Sequence, residues 1–292
     1  MEKNYRAELT GVFGDPVDGN PTGVMEEAAY RECGLNYRYL TLRVKKGDLA
    51  AALSGARAVG MKGINLTMPH KIDVIPYLDR LTPAAALIGA VNTVVEEDGR
   101  WIGENTDGKG FVRSLELEGI SLKGACVTLL GAGGAARAIG VECALAGAEK
   151  LTVINRSRER GEELAELISR ETPAKAEFCL WTPSVKIPPE TQILVQATCV
   201  GLHPHGDQKP DIDYETITDR MTACDVVFHP VFPLFLQEAR RRGAGTVTGI
   251  GMLVQQGALN FELWTGREAP VETMYRTLEA EFGASQQPEK AL

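Results

Sequence analysis

The segment Val127–Leu130, followed at once by Gly131-Ala132-Gly133-Gly134 and the small-residue stretch Ala135–Leu145, constrains this chain more than any other. A short apolar run suits a buried parallel strand, and the residues after it suit a helix. Strand, glycine turn and helix in that order let a backbone approach a pyrophosphate. Gly131 permits the tight turn, Gly133 the close approach, and the small Ala136 lets helix pack on strand. The helix then aims its first N–H groups at the phosphates. Gly131, Ala132, Gly133, Gly134 and Ala135 are therefore the candidate dinucleotide contacts.

The next apolar run, Lys150–Ile154, selects the dinucleotide. A strand in this position that ends in Asp or Glu offers a carboxylate to a ribose 2′-hydroxyl. Here Asn155 occupies that end, about 24 positions after Gly131 and near the fingerprint spacing. A carboxylate would repel a 2′-phosphate; Asn155 does not, and Arg156, Ser157 and Arg160 bring positive charge and donors. The blander reading is a solvated helix start, since Glu159, Glu162 and Glu163 follow. The pattern predicts NADP in preference to NAD.

Composition excludes several classes. A net charge of −8 argues against nucleic acid or an anionic membrane as a general partner. No apolar run reaches transmembrane length, and Met1-Glu-Lys-Asn-Tyr-Arg6 lacks a signal-peptide pattern, so a cytoplasmic protein is expected. The six cysteines are scattered without a Cys-x-x-Cys pair, which predicts buried free thiols. His203-Pro-His205 forms no ligand set with them, and no metal site is expected. The expected partner is a small molecule, with the chain a monomer or homodimer.

Strand and helix alternate almost throughout, which predicts an α/β fold with parallel sheets. Strands are expected at Leu9–Phe13, Tyr37–Leu42, Gly63–Leu66, Ile193–Ala197 and Asp225–Phe228, with a hairpin around Asp98-Gly99. Helices are expected at Val24–Cys33, Asp48–Val59, Pro69–Tyr77, Pro83–Ile88, Asp107–Glu118, Leu234–Arg242, Met252–Trp264 and Val271–Phe282; the polar tail from Gly283 should fray. A nucleotide unit that starts near Gly124 leaves about 100 residues in front of it, enough for a separate domain. The active site is expected in the cleft between the two.

Three segments of the front part carry chemistry: Asn65-Leu-Thr67-Met-Pro-His-Lys71, Gly89-Ala-Val-Asn92-Thr93 and Glu104-Asn-Thr-Asp107-Gly108. Hydride transfer to a ketone creates an alkoxide that needs a proton, and a lysine can stabilise that oxygen and exchange the proton. Lys71 with Asp107 would form such a unit, and Asn92 could hold a hydroxyl or orient the lysine. Taken singly, a surface lysine, a helix-capping Asp107 and a strand asparagine are the simpler readings.

Taken in order, Gly-x-Asn-x-Thr-x-Pro-x-Lys, Gly-Ala-Val-Asn-Thr, Asn-Thr-Asp-Gly, Gly-Ala-Gly-Gly-Ala and the late Gly249-Ile-Gly251-Met-Leu resemble the shikimate dehydrogenase family, including its shikimate/quinate branch. The resemblance runs from Gly14-Asp-Pro16 to about Trp264. It implies NADP-dependent interconversion of shikimate and 3-dehydroshikimate, possible use of quinate, and Lys71 and Asp107 as the catalytic pair. It assigns Asn65, Thr67, Asn92 and Gln256 to substrate, with the neighbouring Gln255 discarded, and Ala197, Thr198 and Gly251 to cofactor. It also implies a discontinuous substrate domain, residues 1–107 plus 253–292, around a Rossmann NADP-binding domain, residues 108–252.

The departures cluster. The family holds the substrate carboxylate with a Ser-x-Ser pair, where this chain has Asn20-Pro21-Thr22. The family tyrosine of Asp-x-x-Tyr-x-Pro is Phe228, and the family's Asn-Ala-Thr reads Gln196-Ala197-Thr198. Asn20, Thr22 and Phe228 are thus the candidate residues for the end of the substrate where specificity differs. Two alternatives accompany the leading reading: a paralogue acting on a cyclic polyol with a changed carboxylate end, and a non-catalytic NADP-binding regulatory protein.

Overall fold

The structure, a computed structural model, describes residues 5–283; the tail expected to fray lies, from Ala284 on, outside the described residues. The chain forms two compact units. The first comprises the residues up to Thr106 with Gln256–Leu278, the second Asp107–Gln255 with the residues from Glu279.

The first unit holds β1 (Glu8–Gly14), β2 (Tyr37–Arg43), β3 (Gly63–Leu66), β4 (Arg80–Leu81), β5 (Thr93–Glu97) and β6 (Arg100–Glu104), in the order β2-β1-β3-β5-β6-β4. β1 is parallel to β2 and β3, whereas β5 is antiparallel to β3 and β6. The sheet is therefore mixed, where alternation alone predicted parallel pairing. The cause is local: Asp98 and Gly99 both take positive φ (49° and 79°), the two-residue hairpin turn that reverses the chain without a crossover. Helices α1 (Thr22–Glu32), α2 (Leu49–Ala58), α3 (His70–Asp73) and α4 (Pro83–Ile88) accompany it. The helix expected over Pro69–Tyr77 is instead the single turn of α3 and a 3₁₀ turn at Ile75–Tyr77. Pro76 explains the break, since it has no N–H to donate and disfavours helical geometry at the residue before it. Phe13, Ile64, Leu66, Val91, Val94 and Trp101 build the core, each large side chain stabilising by about 1.5–3 kcal/mol.

The second unit carries β7 (Cys126–Leu130), β8 (Lys150–Asn155), β9 (Lys175–Leu180), β10 (Val185–Lys186), β11 (Ile193–Gln196), β12 (Ile212–Asp213), β13 (Thr222–Asp225) and β14 (Gly245–Val247). β10 and β12 pair alone, and the others form a parallel sheet in the order β14-β13-β11-β7-β8-β9. Counted from β9, that is the third, second, first, fourth, fifth and sixth strand of the unit's main sheet. This is the doubly wound order, with its switch point between β7 and β11. Helices α5 (Thr106–Leu117), α6 (Gly134–Leu145), α7 (Arg158–Glu171) and α8 (Leu234–Arg241) follow, and α9 (Gly249–Thr265) and α10 (Val271–Phe282) contribute to both units.

The strand expected at Asp225–Phe228 lies three residues earlier. Its neighbour β11 ends at Gln196, in register with Asp225, and the Asp225 carboxylate then accepts from Val227 N at 2.9 Å, which closes the ladder. Helix α9 starts three residues before the expected Met252. A side chain on Gly249 would collide with the Val227 carbonyl, so only glycine admits this start. At its other end, Trp264 Nε1 donates to Val94 O at 3.0 Å, and the indole fills the place a Gly63 side chain would take. The C-terminal end of α9, which belongs to the first unit, is thereby tied to β3 and β5.

Of the cysteines, Cys143 and Cys224 are buried, Cys33, Cys126 and Cys179 are half-buried and Cys199 is exposed. Burial as the general state of the thiols therefore fails, because apolar neighbours in sequence do not fix which strand edge or loop surface a residue reaches. Among the described residues no helix is long and apolar enough to cross a membrane, and no group of three or more His, Cys, Asp or Glu could hold a metal.

Candidate active site

In the first unit, three motifs far apart in sequence are joined by hydrogen bonds. Val91 N donates to the Lys71 carbonyl at 2.8 Å, which fixes the first turn of α3 beside the Gly-Ala-Val-Asn92 segment. Thr106 N donates to Asn92 Oδ1 at 2.7 Å, and Asn92 Nδ2 donates to Thr106 Oγ1 at 3.0 Å. Asn92 therefore sets the start of α5, where Asp107 is the next residue and stands in the first turn. Lys71 and Asp107 are both half-buried and both engaged in polar contacts.

The Asn–Thr pairs continue into a buried network. Asn65 Nδ2 donates to Thr93 Oγ1 at 3.1 Å and to the Asn92 carbonyl at 3.2 Å. Thr93 Oγ1 lies 2.7 Å and Thr106 Oγ1 2.9 Å from Asn260 Oδ1, and Asn260 Nδ2 donates to Gln256 Oε1 at 3.1 Å. Asn65, Asn92 and Gln256, all selected from sequence, are thus brought together. Gln255 differs from its neighbour: it is fully buried and neither side-chain polar atom has a partner. The network also contains residues that sequence reasoning missed. Asn260 sits one helical turn after Gln256, a spacing that places both on one face of α9, and this was the signal available. Tyr39, whose hydroxyl donates to Asn65 Oδ1 at 2.8 Å, carried none.

Thr67 lies at the end of β3, where its amide donates to Phe13 O at 3.0 Å. A side chain on Gly14 would overlap the Thr67 methyl, so the Gly-Asp-Pro turn can pass this close only as glycine. Asn20 Oδ1 accepts from Thr22 N at 2.9 Å, a side-chain turn that starts α1. This occupies the amide oxygen of Asn20 and leaves Nδ2 to donate.

In the second unit the glycine loop leaves β7 at the switch point. Gly131 has φ of 115°, and a side chain there would stand 2.9 Å from the Thr198 methyl. The loop after β7 and the Ala197-Thr198 turn after β11 therefore meet, as the switch-point geometry requires. Gly133 and Gly134 are exposed, and a Cβ at either would meet nothing within 4 Å. Gly133 caps α6 without a side-chain bond, with Ala132 and Ala135 half-buried on either side of the glycines. Ala136 is fully buried, and a side chain on Gly140 would stand 2.9 Å from Leu129, so α6 packs tightly on β7. An open, uncapped helix start with glycine at both approach positions fits a pyrophosphate.

The end of β8 fits a 2′-phosphate. Asn155 Nδ2 donates to Ser157 O at 2.9 Å, and Ser157 Oγ caps α7 by accepting from Arg160 N at 3.4 Å. Arg158 is engaged, bonded to Glu162 at 2.8 Å and lying over Phe178. Arg156 and Arg160 are exposed and without ion-pair partners among the described residues. Under Thr198, Gln196 Oε1 accepts from its amide and hydroxyl at 2.7 and 2.6 Å, while Gln196 Nε2 donates to Asp225 Oδ1 at 3.3 Å. Burial pushes the Asp225 carboxyl up to about 8, and its Oδ2 has no partner. Phe228 belongs to this unit, its ring 5.5 Å from that of Phe282, and Gly251 lies half-buried in the first turn of α9.

Comparison with known proteins matches this arrangement. Residues 12–94 match the shikimate dehydrogenase substrate binding domain, and residues 249–279 the shikimate 5′-dehydrogenase C-terminal domain. An NADP(+) shikimate dehydrogenase of Desulforamulus reducens is 41% identical over 94% of this chain and 96% of its own. A crystal structure of the ligand-free 5-ketofructose reductase of a Gluconobacter strain superposes with a TM-score of 0.92 at 42% identity, covering 96% of this chain and all of that one. A shikimate dehydrogenase solved in complex with NADP+ superposes with a TM-score of 0.88 at 35% identity, covering 96% of this chain and 97% of that one. This chain belongs to the shikimate dehydrogenase family.

Proposed function

We propose that the chain is an NADP-dependent oxidoreductase of the shikimate dehydrogenase type, moving a hydride between NADP(H) and a ring hydroxyl or ketone, with shikimate and 3-dehydroshikimate as the family's pair. The observation that carries this is the pair of hydrogen bonds from Val91 N to Lys71 O and from Thr106 N to Asn92 Oδ1. The first joins the lysine motif to the asparagine motif through the backbone, and the second joins the Asn92 side chain to the residue before Asp107.

In this reading the first unit binds substrate and the second binds NADP. Bound NADP(H) supplies or receives the hydride. Gly131, Ala132, Gly133, Gly134 and Ala135 cradle the pyrophosphate, Arg156 and Arg160 take the 2′-phosphate with Asn155 and Ser157 shaping the turn, and Ala197, Thr198 and Gly251 complete the cofactor contacts. Lys71 Nζ holds the proton exchanged with the reacting oxygen, and Asp107 orients Lys71. Asn65, Thr67, Asn92 and Gln256 hold ring hydroxyls, pre-set by the Thr93–Thr106–Asn260 network. The named relatives support the cofactor, since two of them are an NADP(+) enzyme and an NADP+ complex.

A second reading has a specific observation in its favour. Asn20, Thr22 and Phe228 stand where the family has serine, serine and tyrosine, two of the three hydroxyls being lost, and one similar structure is named for a ketose that carries no carboxylate. The chemistry is the same; the substrate end differs. Steady-state oxidation of a panel of cyclic hydroxy acids and neutral polyols with NADP and with NAD tests both readings. Turnover with NADP on at least one ring alcohol is expected. Binding of NADPH without turnover of any of them would leave only the non-catalytic alternative.

A further inference from the structure

Gln196 ends β11 at the switch point of the second unit and is fully buried. It stands where the family has asparagine, one methylene shorter. Its Oε1 accepts from Thr198 N at 2.7 Å and from Thr198 Oγ1 at 2.6 Å. Its Nε2 donates to Val200 O at 3.0 Å, and to Thr198 O and Asp225 Oδ1 at 3.3 Å each. The amide has two protons for those three acceptors, so one proton is shared. It can be turned only one way, since the Thr198 amide needs an oxygen and the Val200 carbonyl needs a proton. Asp225 is held in turn by Val227 N, which donates to the same Oδ1 at 2.9 Å. One side chain thus ties the turn after β11 to the end of β13.

Thr198 has no donor left to offer. Its amide and its hydroxyl proton both go to Gln196, and the hydroxyl oxygen also accepts from Val200 N at 3.2 Å. Its carbonyl accepts from Gln196 Nε2. Toward the glycine loop it presents its methyl, 2.9 Å from the place a Cβ on Gly131 would take. Ala197 N donates to Leu130 O at 3.0 Å, so the two loops are also joined at their base. A dinucleotide in the crevice outside the ends of β7 and β11 meets both loops.

We propose that Gln196 is a positioning residue for NADP: its amide holds the turn after β11 in the shape the cofactor meets, and Thr198 gives the cofactor a methyl surface and no hydrogen bond. This deepens the proposed NADP-binding reading of the second unit and rests on it. Gln196 acts through Thr198 and touches neither the cofactor nor the reacting atoms.

The test is the NADPH dissociation constant of the wild type, Gln196→Met, Thr198→Val and the double variant. Gln196→Met, which keeps an unbranched stem but no amide, should raise it about tenfold, the scale of one hydrogen bond. In turnover the loss should appear in the NADPH KM more than in kcat. Thr198→Val, which keeps the methyl and loses the hydroxyl that Gln196 holds, should raise the constant about threefold. The double variant should match Gln196→Met, because the hydroxyl acts only through Gln196. Effects that multiply to about thirtyfold would give the hydroxyl a cofactor bond of its own and overturn the proposal. A lower denaturant midpoint with NADPH affinity unchanged, the mark of a merely structural role, would overturn it too. Where Gln196→Met does not fold, hydrogen exchange of the Thr198 amide in the wild type decides the matter. That amide should be protected before any NADPH is added; one that exchanges freely until NADPH binds would overturn the proposal. A wild type that binds no NADPH would instead remove the cofactor reading on which the proposal rests.

Discussion

The two ends of the proposed substrate face in the first unit are built on opposite plans. At one end Asn65, Asn92, Thr93, Thr106, Asn260 and Gln256 form a closed network in which almost every buried polar group meets another. At the other, Asn20 and Thr22 are engaged in a helix-start turn, and the buried Glu26 carboxyl lies beside the Tyr30 hydroxyl. The closed end coincides with the motifs shared with shikimate dehydrogenases, the open end with the departures from them. A satisfied network holds side chains in one geometry, as hydride transfer to a defined carbon demands. The other end, away from the paired asparagines, is where specificity could change without disturbing the chemistry.

The closed network can be broken at its hub. Asn260→Ala removes the acceptor shared by Thr93 and Thr106 and the donor to Gln256. With buried hydroxyls left unpaired, unfolding stability should fall by about 2–3 kcal/mol, read as a shift in the denaturant midpoint at unchanged slope. The KM for any substrate should rise as well. A loss of stability with kinetics intact would show that the network supports the fold but does not position substrate.

The cofactor unit offers the same kind of contrast between two arginines that are unpaired and one that is paired. Replacing Arg156 and Arg160 with Ala should raise the KM for NADP about 10- to 100-fold, with that for NAD nearly unchanged, since each charge-assisted bond contributes about 1.5–3 kcal/mol before solvent screening. Arg158→Ala should affect both cofactors little, because its guanidinium already serves Glu162 and Phe178. Equal effects of the double replacement on the two cofactors would refute the 2′-phosphate assignment.

A graded, pH-dependent effect is expected from Asp225. Its folded-state carboxyl titrates near 8, well above its unfolded value, because burial disfavours the charge. The stability this confers is fully present below about pH 4 and is lost as pH rises toward 8, by at most about 1.4 kcal/mol per pH unit. Asp225→Asn keeps the acceptor for Val227 N and should flatten that slope in urea titrations between pH 5 and 8. An unchanged slope would place the titration on another buried acid, with Glu26 the first to examine.

What the sequence disclosed, and what it did not, follows from how local each signal is. The Gly131 loop was legible because one short segment contains strand, turn and helix. Asn92 and Gln256 were legible only through the order of motifs. Asn260 was not, since an asparagine inside an apolar helix is silent until its partners Thr93 and Thr106, more than 150 residues away, are placed beside it. Glu26 was invisible for a different reason: a glutamate in a short helix followed by Glu27 reads as a solvated face. Edge strand β14 was missed because Gly245-Thr-Val247 is too short to show an apolar run, and β9 because its apolar half, Phe178–Leu180, follows the polar Lys175 and Glu177. The strand misplaced onto Val226–Phe228 followed such a run where the Asp225 carboxylate had already ended the pairing.

In the proposed chemistry Lys71 acts on the reacting oxygen, while the glycine loop and the paired asparagines only bind. Its most direct test is Lys71→Ala, measured as kcat on the preferred ring alcohol beside the NADPH dissociation constant. The account predicts a kcat lower by about 10²–10⁴-fold, the range of general acid–base catalysis, with NADPH affinity unchanged within about twofold. A variant that keeps a near-normal kcat and shows only a raised KM would contradict it and make Lys71 a binding residue.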